Sequence, residues 1–134
     1  MSKAWPLIAV VDDEKSVGKA LNRLLRSAGM KVETFTSGAQ FLKSLQNHTP
    51  DCVVLDLHMP QMNGFEVQSG LARTGGHTPV VVITGCDTQE ARECADAGGA
   101  TAYLLKPVDG QALLDAIAVA MAPAPETRPP PSNG

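Results

Sequence analysis

The feature that most constrains this chain is a recurring unit. A run of four or five mostly apolar residues ends on a polar side chain, and a stretch with helical spacing follows. The runs are Leu7-Ile8-Ala9-Val10-Val11, Cys52-Val53-Val54-Leu55, Val80-Val81-Val82-Ile83 and Ala102-Tyr103-Leu104-Leu105; they close on Asp12 and Asp13, on Asp56, on Thr84 and on Lys106. Apolar residues at successive positions, without alternation, suit strands covered on both faces of a parallel sheet. A weaker segment from Lys31 to Phe35 alternates and reads as one more strand.

The intervening stretches carry helix signals. Val17, Ala20, Leu21, Leu24, Leu25 and Ala28 recur at helical spacing opposite Lys19, Asn22, Arg23 and Arg26, and Gly29 follows as a stop. Ser37 with Gln40 forms a capping-box pattern ahead of Phe41, Leu42 and Leu45. After the Met59-Pro60 break, Phe65, Val67 and Leu71 mark a third helix. Asp87-x-x-Glu90 predicts the start of a fourth, with Ala91, Cys94 and Ala95 inward, Gly98 its end, and Asp109 opening a fifth with Leu113, Leu114, Ile117 and Met121 inward. Five strands alternating with five helices imply a parallel sheet with right-handed crossovers and helices on both faces.

The chain has 134 residues, enough for one domain with one real core. We expect that domain to occupy residues 1–122. Residues 123–134 hold five of the ten prolines and no periodic apolar positions, which reads as a disordered tail or linker stub. Eleven Lys and Arg against 14 Asp and Glu give a net charge of −3, with the basic residues dispersed. Direct nucleic-acid binding is not expected from such a surface. No apolar run approaches the ~20 residues a membrane span needs, and no secretory signal precedes Asp12. Three cysteines, Cys52, Cys86 and Cys94, in no CxxC spacing, fit a reducing compartment, so a cytoplasmic location is expected.

In an open parallel sheet of this kind, sites lie at the carboxyl ends of the strands. That edge would hold Asp12, Asp13, Asp56, Thr84 and Lys106. Three carboxylates near one point repel unless a cation sits among them, and a hard ion such as Mg²⁺ (or Mn²⁺) suits oxygen ligands of this type. Without a Cys/His cluster, zinc is a poor candidate. A carboxylate nucleophile, a divalent ion, a lysine and a hydroxyl donor are the parts that phosphoryl transfer needs, with Asp56 as the acceptor.

Four motifs in register, Val10-Val11-Asp12-Asp13-Glu14, Asp56-Leu57-His58-Met59-Pro60-Gln61-Met62-Asn63-Gly64, Ile83-Thr84-Gly85 and Tyr103-Leu104-Leu105-Lys106-Pro107, resemble the receiver domain of two-component response regulators over roughly residues 7 to 121. The resemblance implies a flavodoxin-like (βα)5 three-layer sandwich with strand order 2-1-3-4-5. It makes Asp56 the phosphoacceptor, supplied by a sensor histidine kinase or a His-containing phosphotransfer protein. Asp12, Asp13, Asp56 and the backbone carbonyl of His58 would hold Mg²⁺. Thr84 would swing to the phosphoryl group, Lys106 would pair with it, Tyr103 would turn inward, and Lys106-Pro107 would be a cis peptide. Output would pass to a downstream protein effector through the face formed by the fourth helix, fifth strand and fifth helix. The chain is then no enzyme beyond its own phosphorylation and dephosphorylation.

Departures from the family pattern are modest: Val108 stands where an aromatic is frequent, and Gly98-Gly99 loosens the approach to the last strand. The short stretch after Met121 reads as too small for an output domain, which favours a stand-alone receiver. The alternative is a degenerate receiver acting as a phosphate-independent binding module. A haloacid-dehalogenase-type phosphatase would need an acid where His58 stands, and a flavin-binding relative would need a phosphate-cradling loop where Asp13-Glu14-Lys15-Ser16 stands. His48 and His77 lack metal spacing, whereas His58, two residues beyond Asp56, is placed to affect phosphate access and hydrolysis.

Overall fold

A computed structural model describes residues 5–59, 61–74 and 77–122; the proline-rich segment expected to be a disordered tail lies outside the described residues. Among those described, the elements are β1 (Leu7–Val11), α1 (Lys15–Ser27), β2 (Lys31–Phe35), α2 (Gly38–Ser44), β3 (Cys52–Asp56), α3 (Gly64–Ala72), β4 (Val80–Thr84), α4 (Gln89–Ala97), β5 (Ala102–Leu105) and α5 (Gly110–Met121). The strands form one parallel sheet in the order β2-β1-β3-β4-β5. Fold class and strand order are those expected.

Successive strand residues point to opposite faces, and this splits the core in two. Ala9, Val11, Val53, Leu55, Val80 and Val82 face Phe41, Val67, Leu71, Ala91 and Ala95 on α2, α3 and α4. Ile8, Val10, Cys52, Val54, Val81 and Ile83 face Leu21 and Leu25 on α1 and Leu113 and Ile117 on α5. The three central strands therefore need apolar residues at every position, which explains their unbroken runs. Burial also pushes the Cys52 thiol up to about 12 and leaves it inert. The helices are unequal partners: the buried residues of α4 are two alanines, Ala91 and Ala95.

Helix starts follow side-chain chemistry. Asp109 accepts the Ala112 N–H at 2.8 Å, as expected from the sequence; of the capping box expected at Ser37 and Gln40 only half forms, Ser37 accepting the Gln40 N–H at 3.1 Å without a return bond to the Gln40 side chain. The reciprocal capping box belongs to α3, where Asn63 and Glu66 each accept the other's backbone N–H. The predicted start of α4 is corrected by one residue: Thr88, not Asp87, caps it by accepting the Ala91 N–H at 3.0 Å. Asp87 is drawn away by the Arg92 guanidinium, which binds both its carboxylate oxygens at 2.7 and 2.8 Å. The inner stripes are also narrower than the spacing implied. Ala20, Ala28 and Cys94 are exposed, while Gly18 is buried where α1 crosses Thr34. Lys106-Pro107 is a cis peptide.

Candidate functional site

Parallel register alone gathers the polar strand ends. Val11 lies opposite Leu55, Asp56 opposite Ile83 and Thr84 opposite Leu105, so Asp12, Asp56, Thr84 and Lys106 end at one edge of the sheet. The ladder continues past the strands: Asp12, Leu57 and Lys106 donate their N–H groups to Phe35, Ile83 and Thr84 at 3.0, 3.1 and 2.9 Å. The site is thus built on rigid backbone, not on free loops.

Asp12 and Asp56 are each 2% exposed, and Thr84 is fully buried. Asp13 is more open, and ligand atoms of Asp12, Asp13 and Asp56 all lie within 4.8 Å of one another. Lys106 reaches over this cluster from the end of β5, with Nζ 2.9 Å from Asp12, 3.0 Å from Glu14 and 3.5 Å from Asp56. Burial alone would depress the Lys106 ammonium. Its bonds to Asp12 and Glu14 and the nearby carboxylate charges outweigh that and raise it above the ordinary lysine range. Asp56 is pushed up to about 6, first by burial and then by the Asp12 charge, against the pull of Lys106 and of the His58 N–H that donates to its Oδ1 at 3.2 Å. Its carboxylate remains ionised in most molecules at neutral pH, and is more basic than an exposed aspartate.

The residues fit a divalent cation. Asp12 Oδ1 is used by the Glu14 N–H at 2.9 Å, but the buried Oδ2 has only its ion pair with Lys106 and no well-directed hydrogen bond. Oxygens around Mg²⁺ stand about 3–4 Å apart, and each of the three carboxylates offers an oxygen within 4.8 Å of the others.

Thr84 Oγ1 makes no hydrogen bond to Asp56. It accepts the Cys86 N–H at 3.1 Å, lies 3.3 Å from the Cys86 carbonyl, and meets Nδ1 of His58 at 2.9 Å. Tyr103 is half-buried. Its hydroxyl donates to Asp87 Oδ1 at 3.1 Å, and the Arg92 guanidinium sits 5.1 Å above its ring. Burial, followed by the bond to Asp87, raises the Tyr103 phenol, while the bond from Arg92 keeps the Asp87 carboxyl below its ordinary range.

The structure therefore brings Asp12, Asp13, Asp56 and Lys106 together, with Thr84 beside them and Tyr103 one layer out. Sequence reasoning did not find three participants: Glu14 as a Lys106 partner, the His58 ring on Thr84, and the Asp87–Arg92 pair that holds Tyr103. Arg92 lies five residues beyond Asp87, outside the i, i+3 and i, i+4 spacings that pair side chains on a helix, so sequence spacing signalled none of the three. Among the described residues no helix is long and apolar enough to cross a membrane.

Comparison with known proteins agrees with this geometry. The family described as the response regulator receiver domain matches residues 8–118. The response regulator protein TodT of Pseudomonas putida is 35% identical over 128 residues, covering 96% of this chain and 56% of that protein. Nodulation protein W of Bradyrhizobium diazoefficiens is 37% identical over 114 residues, 85% of this chain and 50% of its own length. A solved response regulator receiver protein from Burkholderia phymatum is 46% identical, with a TM-score of 0.78 over 87% of this chain and 94% of that one. The chain spans about half the length of these curated relatives, so they lend no support to the expectation that it acts alone.

Proposed function

The chain belongs to the response regulator receiver domain family of two-component signalling, and from that premise we propose that Asp56 accepts a phosphoryl group from a histidine kinase or His-containing phosphotransfer protein. The observation that carries this reading is the convergence of three carboxylates and Lys106 at one sheet edge, with Asp56 buried and raised to about 6. An ionised Asp56 oxygen attacks phosphorus, a P–O bond forms as the donor's P–N bond breaks, and the departing imidazole takes a proton from solvent. Asp12, Asp13 and Asp56, with the His58 carbonyl, would hold Mg²⁺, and a bound ion would supply neutralisation of charge on the phosphoryl oxygens.

Lys106, already 3.5 Å from Asp56, pairs with a phosphoryl oxygen. Thr84 donates its hydroxyl to another. The phosphoryl group thereby biases an existing equilibrium in which Tyr103 moves inward as Thr84 shifts. The change is read on the α4–β5–α5 face by a protein partner.

Intact mass before and after incubation with acetyl phosphate and Mg²⁺ tests this. Wild type gains one phosphoryl mass and Asp56→Asn gains none. Absence of any gain in wild type overturns the reading in favour of a phosphate-independent binding module.

A further inference from the structure

The contact between His58 and Thr84 joins the loop after β3 to the last residue of β4, 26 positions away in the chain. His58 is exposed as a residue, yet its ring nitrogen is turned to the fully buried Thr84 hydroxyl at 2.9 Å, the shortest of that oxygen's three contacts. A threonine hydroxyl has one proton to give and two lone pairs to accept with. Cys86 N–H occupies one lone pair, and the proton goes to His58 Nδ1 or to the Cys86 carbonyl, according to the histidine tautomer. In neither case is a proton left over for another acceptor.

We propose that His58 is a positioning residue: its ring tethers Thr84 in the resting place, and a phosphoryl group on Asp56 recruits that hydroxyl only by breaking the tether. The same residue's backbone N–H lies on Asp56 Oδ1, so His58 touches both the carboxylate that is modified and the hydroxyl that responds. The inference rests on the phosphoacceptor role given above to Asp56. It differs from a direct effect of the ring on water access, because it acts through Thr84 alone.

The test titrates beryllofluoride, an isosteric mimic of the aspartyl phosphoryl group, with Mg²⁺ into the full chain. The Thr84 methyl and Cys86 amide resonances are followed by NMR in wild type, His58→Ala, His58→Phe, Thr84→Ala and the His58→Ala/Thr84→Ala pair. A net hydrogen bond of ordinary strength corresponds to roughly a threefold to tenfold gain in affinity for His58→Ala and His58→Phe alike. Both resonances of the unliganded variants shift toward their liganded positions, and the gain disappears in the Thr84→Ala background. Unchanged or weakened affinity in His58→Ala, a gain that persists without Thr84, or wild-type behaviour in His58→Phe would each overturn the tether. If wild type neither binds beryllofluoride nor gains phosphoryl mass, the receiver chemistry itself fails; that result is separate from wild-type binding that His58→Ala leaves untouched.

Discussion

Asp56 carries its charge against both burial and the Asp12 carboxylate, and the balance has a sign that can be measured. Its folded pKa near 6 lies above the ~3.9 of an unfolded-chain aspartate, so the folded protein binds the extra proton between those values. Stability from this group is fully present below about pH 4 and is lost as pH rises through 6, a difference on the order of 2–3 kcal/mol. Asp56→Asn is therefore expected to raise the unfolding free energy at pH 7, without divalent ions, by about 1–3 kcal/mol and to flatten the fall between pH 4 and 6. Urea denaturation across that range checks it; a variant less stable than wild type at pH 7 contradicts it. Asp12, Asp56, Thr84 and Lys106 were legible as site positions because a strand end fixes where its next side chain goes. The His58 and Asp87 contacts were not, because they depend on side-chain rotamers in loops, which no periodicity encodes.

Elements are held in place by close approaches that differ sharply between two glycines. A Cβ at Gly64 would stand 2.7 Å from Leu57 Cα and 2.9 Å from the Asp56 carbonyl oxygen, both backbone atoms that cannot step aside. Gly64→Ala should destabilise by about 2 kcal/mol or more, by displacing the start of α3 from the end of β3. At Gly18, inside α1, the nearest atom would be Thr34 Cγ2 at 3.8 Å, an ordinary contact. Gly18→Ala should stabilise by about 0.5–1 kcal/mol through helix propensity. Denaturation midpoints of the two variants must move in opposite directions for this account to hold. The existence and type of every element could be read from apolar runs and spacing; their edges could not always. Thr88 displaced Asp87 as the cap of α4 because Arg92, one turn further on, competed for the aspartate. Cys94 fits the helical stripe beside Ala91 and Ala95, yet it faces solvent because a helix touching the sheet through small residues buries a narrower strip.

Across the whole molecule, the parallel sheet covered on both faces followed from alternation and right-handed crossovers, whereas its strand order followed from the family resemblance alone. The division of the core into two halves follows from the two-residue period of the strands. The distribution of apolar bulk between the halves could not be read beforehand, since it depends on which helix residues reach the sheet. That distribution is uneven in one respect. Each fully buried Leu or Phe supplies roughly 1.5–3 kcal/mol of hydrophobic stabilisation, whereas an alanine methyl supplies about 0.8. Leu21 and Leu25 anchor α1, Phe41 anchors α2, Val67 and Leu71 anchor α3, and Leu113 and Ile117 anchor α5; Ala91 and Ala95 anchor α4. In native-state hydrogen exchange, the α4 amides should open sub-globally, at free energies several kcal/mol below those of β1, β3 and β4. Exchange from α4 at the global unfolding rate would rule this out. The two-alanine contact thus acts as a built-in fracture plane: the helix that follows the Thr84 loop is the one whose partial detachment disturbs the core least.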